Sequence, residues 1–186
     1  MQNYSLILNK ALEKIKPNEK EISELNKTIN FVLTRINKNI KDAKAILGGS
    51  GAKNTWLKDN HDIDIYVKFN YEKFKNKSDK LSDILQQALY RSFKRVERLH
   101  GSRDYFHLKI KNYTIEVIPI LNIKKNDEAK NITDFSHLHV DYVRNHNRLC
   151  DQIRLAKAFT MANEVYGAES YIRGFSGYVI ELLVIH

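Results

Sequence analysis

Residues 43–69 read AKAILGGSGAKNTWLKDNHDIDIYVKF, and this stretch decides the fold. Two short apolar runs flank a polar connection. Leu47-Gly48-Gly49-Ser50 closes the first run, and Asp62-Ile63-Asp64 opens the second after eleven intervening residues. In a strand, residues two apart face the same side, so Asp62 and Asp64 present two carboxylates together. Like charges at that spacing need neutralising. Magnesium does so with oxygen ligands, and it also bridges phosphates. Gly48 and Gly49 let the backbone approach a phosphate closely, and Ser50 adds a hydroxyl and main-chain N–H groups. Alone, GGS reads as a turn and DxD as a solvated strand end. Joined across two strands, they read as half of a triphosphate site.

Working outward, KRVERLHGS (94–102), YFHLKI (105–110) and YTIEVIPIL (113–121) supply three more candidate strands, five in all. A helical stretch with Leu81, Ile84, Leu85, Ala88 and Leu89 on one face separates the second strand from the third. Upstream, residues 4–15 have helical spacing, and Pro17 opens a second helical pattern through Ile22, Leu25, Ile29, Val32 and Ile36. This pair is expected to cover one face of the sheet. The class is therefore α/β (α+β), a mixed sheet with flanking helices. YTIEVIPIL contains a single carboxylate, Glu116. A lone acid in an apolar strand is costly unless it meets a metal or a partner, so Glu116 is expected to converge on Asp62 and Asp64. The implied chemistry uses two magnesium ions held by these three acids, with Glu116 as general base or as ligand of the second ion.

After Pro119 the segment KKNDEAKNITDFS reads as a loop or linker, and helical patterns resume through Val143, Leu149, Ile153, Leu155, Ala158 and Phe159. The chain thus divides into a catalytic head with an N-terminal helical pair, 1–135, and a mostly helical unit, 136–186. Its last stretch, GFSGYVIELLVIH, is apolar on every side.

With 186 residues, 42% of them hydrophobic, and two prolines, the chain can bury a real core and is not disordered. Thirty-one Lys and Arg against twenty-two Asp and Glu leave a formal charge of +9, which favours polyanionic partners. No window nears twenty uninterrupted apolar residues, and the N-terminal sequence does not resemble a leader, so a cytoplasmic protein without membrane association is expected. Cys150 stands alone, without a partner for a disulfide or a CxxC zinc site. His137 and His139 could form an HxH pair, but only His146 is near as a third ligand, which argues against zinc.

GGSGAKNTWLKDNHDIDIYVKF resembles the catalytic signature of the polymerase-beta-like nucleotidyltransferase superfamily, and its TWL segment points to the archaeal (class I) CCA-adding branch. IEVIPI resembles the strand carrying that family's third carboxylate, and IRLAKAF, VYGAE and RGFSGYVIELL resemble its neck in the same order. The resemblance implies that Gly49, Ser50 and Lys53 meet the triphosphate, with lysine where the family usually has arginine, so the charge stays and the bidentate fork is lost. It implies that Asp62, Asp64 and Glu116 are the metal acids, the third usually being aspartate. His139, Lys157 and Tyr166 match residues that contact the nucleotide's phosphates and sugar, Ala168 and Glu169 fall where the chain lines the base pocket, and Arg173 opens the neck motif with Gly174. Without the resemblance, Tyr166 and Phe175 would read as packing aromatics, and Lys157 with Arg154 as a solvated basic face.

The function this implies is template-independent addition of CMP and AMP from CTP and ATP to the 3′ end of tRNA, with magnesium replaceable by manganese. Body and tail domains follow the neck in that family, so the apolar terminus predicts a surface covered by a separate C-terminal polypeptide or by self-association, as in a split enzyme. Two other readings stay open: a minimal nucleotidyltransferase that transfers AMP to a protein, and a non-catalytic RNA-binding subunit.

Overall fold

The computed structural model describes residues 2–186. The five apolar runs become β1 (Ala43–Leu47), β2 (Asp62–Phe69), β3 (Glu97–Leu99), β4 (Tyr105–Ile110) and β5 (Tyr113–Leu121), which form one sheet in the order β1-β2-β5-β4-β3. The central pair β2 and β5 is parallel, and every other neighbouring pair is antiparallel. Ile63, Ile65, Val67 and Phe69 share one face with Ile115, Val117 and Leu121, and all are buried. Two helices cover that face, α2 (Glu19–Asn39) with Leu25, Ile29, Val32 and Ile36, and α5 (Leu81–Ser92) with Leu81, Leu85 and Leu89. Burial of a parallel pair under helices is the usual solution for strands linked by a crossover. Here the crossover holds the single turn α4 (Tyr71–Phe74), α5, β3 and β4.

The opposite face carries the polar alternates of β2 and β5. Over it lie the short α3 (Gly49–Lys53) and α6 (Ser136–Arg144), packed on Tyr66, Ile118 and Ile120 through Ala52 and Val140. Two more helices follow, α7 (Cys150–Ala162) and α8 (Gly177–Ile185).

Several elements differ from the sequence expectation. α2 begins two residues after Pro17, because Asn18 caps it: the Asn18 carboxamide oxygen accepts from the Glu21 N–H, and the Glu21 carboxylate accepts from the Asn18 N–H. The first helix, α1 (Gln2–Ile15), does not join α2 on the sheet. It packs on α7, fixed by the Lys58 N–H donating to the Ile15 carbonyl and by a Lys16–Asp151 pair at 2.8 Å. Leu25, Ile29, Val32 and Ile36 of α2 are buried, while Leu6, Ile7 and Leu8 of α1 stand exposed. GGS is the start of a helix instead of a simple turn. KRVERLHGS pairs over only Glu97–Leu99, since it is an edge strand whose flanking cations stay in water.

The segment read as a linker is anchored. Its Asp134 is fully buried, bonded to both Arg103 guanidinium NH groups, and accepts backbone N–H bonds from Leu121, Lys130 and Asn131. Arg103→Ala leaves that carboxylate buried without its counter-charge, and urea unfolding should register a loss of about 3–5 kcal/mol. A loss below about 1 kcal/mol would show that the anchor contributes little.

Candidate functional site

Parallel register places Asp64 directly opposite Glu116, and Asp62 opposite Thr114, so all three acids stand on one face of the central strand pair. Asp62 is exposed and Asp64 half-buried. Burial is the main cause that lifts the Glu116 carboxyl to about 7, with the charges of Asp64 and then Asp62 adding to it. The Asp64 carboxyl is also raised, first by burial; Lys53 and Lys157 oppose this, and Asp62 reinforces it. The acids are therefore held together against their own repulsion. Among the described residues, no three carboxylates, imidazoles or thiols already form a closed metal-binding group. Carboxylate oxygens gathered on one face fit a hard divalent cation, and Asp62, Asp64 and Glu116 are the residues that would hold it.

The glycines before α3 have a role beyond the one their sequence suggested. Gly49 has φ +50, and a Cβ there would lie 1.6 Å from Asp64 Oδ2. At Gly48 a Cβ would lie 2.6 Å from the Tyr66 ring, whose hydroxyl accepts from the Gly49 N–H at 3.2 Å. Glycine is needed here so that the β1–α3 bend can press against the acids. Ser50, in the first turn of α3, faces a cavity of about 250 Å3 that it lines with Thr55, Trp56, Lys157, Met161 and Tyr166.

Lys53 and Lys157 are both buried, contrary to the solvated face that Lys157 and Arg154 would otherwise form. One carboxylate holds the two lysines. Lys53 Nζ lies 2.7 Å from Glu181 Oε2, and Lys157 Nζ lies 2.7 Å from Glu181 Oε1. Thr55 completes the cluster, its hydroxyl donating to Glu181 Oε1 at 2.8 Å and accepting from Lys157 at 3.0 Å. Burial alone would raise the Glu181 carboxyl, but Lys157 and Lys53 outweigh it and keep the group below the usual range. Arg154 fixes the same connection, donating to the carbonyls of Asn54 and Trp56. Glu181 was not singled out in the sequence, although it is the only charge in GYVIELLVI, the same signal that exposed Glu116. His107 was also missed. It pairs across the sheet with Glu116, with Nε2 3.8 Å from Glu116 Oε2.

The remaining expected residues divide. Tyr166 lines the cavity, and burial, with Glu181 and Asp64 adding, raises its hydroxyl. His139 stacks on Tyr178 with ring centroids 3.9 Å apart, and Lys53 sits over the same tyrosine. Ala168 and Glu169 lie on an exposed turn and do not line the cavity. Arg173 and Gly174 close that turn, where the Gly174 N–H donates to the Gly167 carbonyl. Phe175 is 46% exposed and therefore not a core aromatic. His137 donates from Nε2 to the Ile123 carbonyl as a packed histidine, so the HxH pair is divided between the core and the site.

Sheet, helices and carboxylate row together define a nucleotidyltransferase head. The nucleotidyltransferase domain family matches residues 25–139, and the chain belongs to it. The family described as the second domain of tRNA nucleotidyltransferase matches residues 151–186. The chain is similar to the CCA-adding enzyme of Nanoarchaeum equitans, 35% identical, with 94% of this chain and 43% of that protein covered. It is equally similar to the CCA-adding enzyme of Sulfolobus acidocaldarius, 35% identical over 95% of this chain and 42% of the relative. The chain thus spans less than half the length of these curated relatives. A solved structure of the Cid1 poly(U) polymerase with MgGTP bound shares the fold, with a TM-score of 0.70 at 19% identity over 97% of this chain and 54% of that one. Nucleotidyltransferases of this fold use divalent metal ions.

Two outcomes follow from the geometry. Gly49→Ala should displace the Asp64 carboxylate and weaken manganese binding in an EPR titration while circular dichroism keeps the wild-type fold; unchanged binding would contradict the contact. With Glu116 at about 7 against its ordinary 4.5, the folded metal-free chain keeps a proton that the unfolded chain has released between those values. Stability from this group is full below pH 4.5 and is lost as the pH rises through 7. Thermal unfolding in EDTA should show this fall, Glu116→Gln should flatten it, and magnesium should raise Tm more at pH 8 than at pH 5.

Proposed function

We propose that this chain transfers CMP and AMP from CTP and ATP to the 3′ end of tRNA, as a CCA-adding nucleotidyltransferase. The observation that carries the reading is the placement of Asp64 beside Glu116, with the Gly48-Gly49-Ser50 bend pressed against them. The two family matches, in head-then-second-domain order, support tRNA as the substrate.

In this reading Asp62, Asp64 and Glu116 hold two magnesium ions, with manganese able to replace them. When bound, the ions neutralise the triphosphate and lower the pKa of the attacking hydroxyl. Ser50 and the backbone of Gly49 cradle the phosphates. Lys53 and Lys157 supply positive charge from the other side, sharing their ammonium protons between Glu181 and the phosphate oxygens. Glu116 serves as the base that takes the proton from the 3′-hydroxyl, or as the ligand of the second ion. Tyr166 and His139 orient the sugar and phosphates, and Ala168 and Glu169 border the base. Without a template, the shape and hydrogen bonding of this pocket and of the tRNA end select the nucleotide. Such a substrate places the reaction in the cytoplasm.

The head is taken as 1–135 and the neck as beginning at 136; the first family match ends at residue 139, within α6, and the second begins at 151. Phe159, Phe175, Val179 and Leu183 stand exposed around α7 and α8, which supports a body-like polypeptide, or self-association, as their cover.

Incorporation of labelled CTP and ATP into tRNA transcripts lacking CCA, with magnesium, tests the reading. Wild type should add nucleotides and Asp64→Ala should reduce the rate by at least about a thousandfold. Transfer of AMP to protein instead of tRNA, or equal rates in the two proteins, would reject it.

A further inference from the structure

On the carboxylate face, the strand register runs from Asp64 through Glu116 and His107 to Glu97, crossing the sheet from β2 to its free edge at β3. A parallel row runs from Asp62 through Thr114 to Lys109. The acids thus continue, side chain by side chain, into a cavity of about 490 Å3 at that edge, lined by Tyr90, Lys94, Arg95, Val96, His107 and Lys109 together with Glu97. Some exposed cations of the head are neutralised, as in Lys73 with Asp42, Lys75 with Glu72 and Arg98 with Asp83. Lys94, Arg95 and Lys109 are exposed and take part in no ion pair among the described residues. Tyr90 is 59% exposed, its hydroxyl tied to Gln86 so that the ring is presented at the rim.

A strip of unpaired cations with an aromatic ring at its mouth suits a phosphate backbone with unstacked bases. An acidic peptide would use the charge but not the ring. The strip meets the acids on the Glu116 side, whereas the cavity of Ser50, Lys157 and Tyr166 meets them through α3 and α7. In-line transfer needs the attacking and leaving oxygens on opposite sides of the phosphorus, so two separate approaches to one row of acids suit two substrates.

We propose that the groove along the β3 edge binds the single-stranded 3′-terminal segment of the RNA acceptor. Lys94, Arg95 and Lys109 hold its phosphates, Tyr90 stacks a base, and His107 is a positioning residue that sets the Glu116 side chain toward the terminal hydroxyl. The proposal rests on the reading of this site as one that extends an RNA 3′ end.

Binding of a short fluorescein-labelled RNA, followed by anisotropy across a salt series, tests the groove without needing catalysis. K94A/R95A/K109A should weaken binding on the order of tenfold or more and flatten the slope of log K against log salt by about 2. K10A/K14A/K20A removes the same charge from the α1–α2 side and should do neither. Tyr90→Ala should weaken binding, Tyr90→Phe should keep it, and the KM for ATP should be unchanged in every groove variant. Equal losses in the two triple variants, or a groove variant that binds like wild type, overturn the proposal even where wild type extends tRNA. Groove-dependent RNA binding by a protein that adds no nucleotide upholds the groove and rejects the CCA-adding reading.

Discussion

Mutual repulsion among three carboxylates is the constraint on which this structure turns. Parallel pairing of β2 and β5 forces Asp64 and Glu116 side by side, and strand alternation brings Asp62 to the same face. Nothing in the sheet itself favours that arrangement. The strands hold it because Ile63, Ile65, Val67, Ile115 and Val117 on the reverse face are locked under α2 and α5. Burial on one side of the sheet thus offsets charge on the other, and the elevated Glu116 carboxyl reflects its own burial first and the charges of Asp64 and Asp62 second.

A second charge arrangement joins the helical second unit to the head. Glu181 comes from α8, Lys157 from α7 and Lys53 from α3, and all three are buried. Two ammoniums around one carboxylate leave a net positive charge within reach of Asp64, whose carboxyl responds to both lysines. The same residues therefore serve as a structural clasp between units and as the cationic wall opposite the acids. Replacing either lysine disturbs both, so the chemistry and the docking of α8 cannot be tuned separately.

Much of this was legible in the sequence where one residue's neighbours decide its state. DIDIYVKF and YTIEVIPIL reveal strands with their correct bounds, because alternation and β-branched content are local properties. Glu116 stood out as a charge in an apolar run. Where the outcome depends on distant pairing, the sequence was silent. Whether YFHLKI lies beside YTIEVIPIL in the register that sets His107 against Glu116 depends on the turn at Lys111 and on the whole sheet. Lys157 looked like surface because its counter-ion lies far along the chain, in a helix apolar enough to pass for plain core. The helical start at Gly49 was hidden because glycine is a poor helix former, accepted here for its contact with Asp64.

The order in which the clasp residues occur along the chain sets the order in which the site can form. Lys53 and Lys157 have no buried counter-charge until α8 has docked. The parallel β2–β5 pair likewise waits for the whole crossover of α4, α5, β3 and β4 to close. Both contacts are long in sequence, and long-range contacts form late because the entropy of loop closure comes first. In a chain leaving the ribosome, α1 likewise waits for α7, the helix on which it packs. The acids can meet once β5 has been made, but their opposing lysines gain Glu181 only after α8 has followed, so a chain that has not reached α8 has no assembled site with which to engage nucleotide.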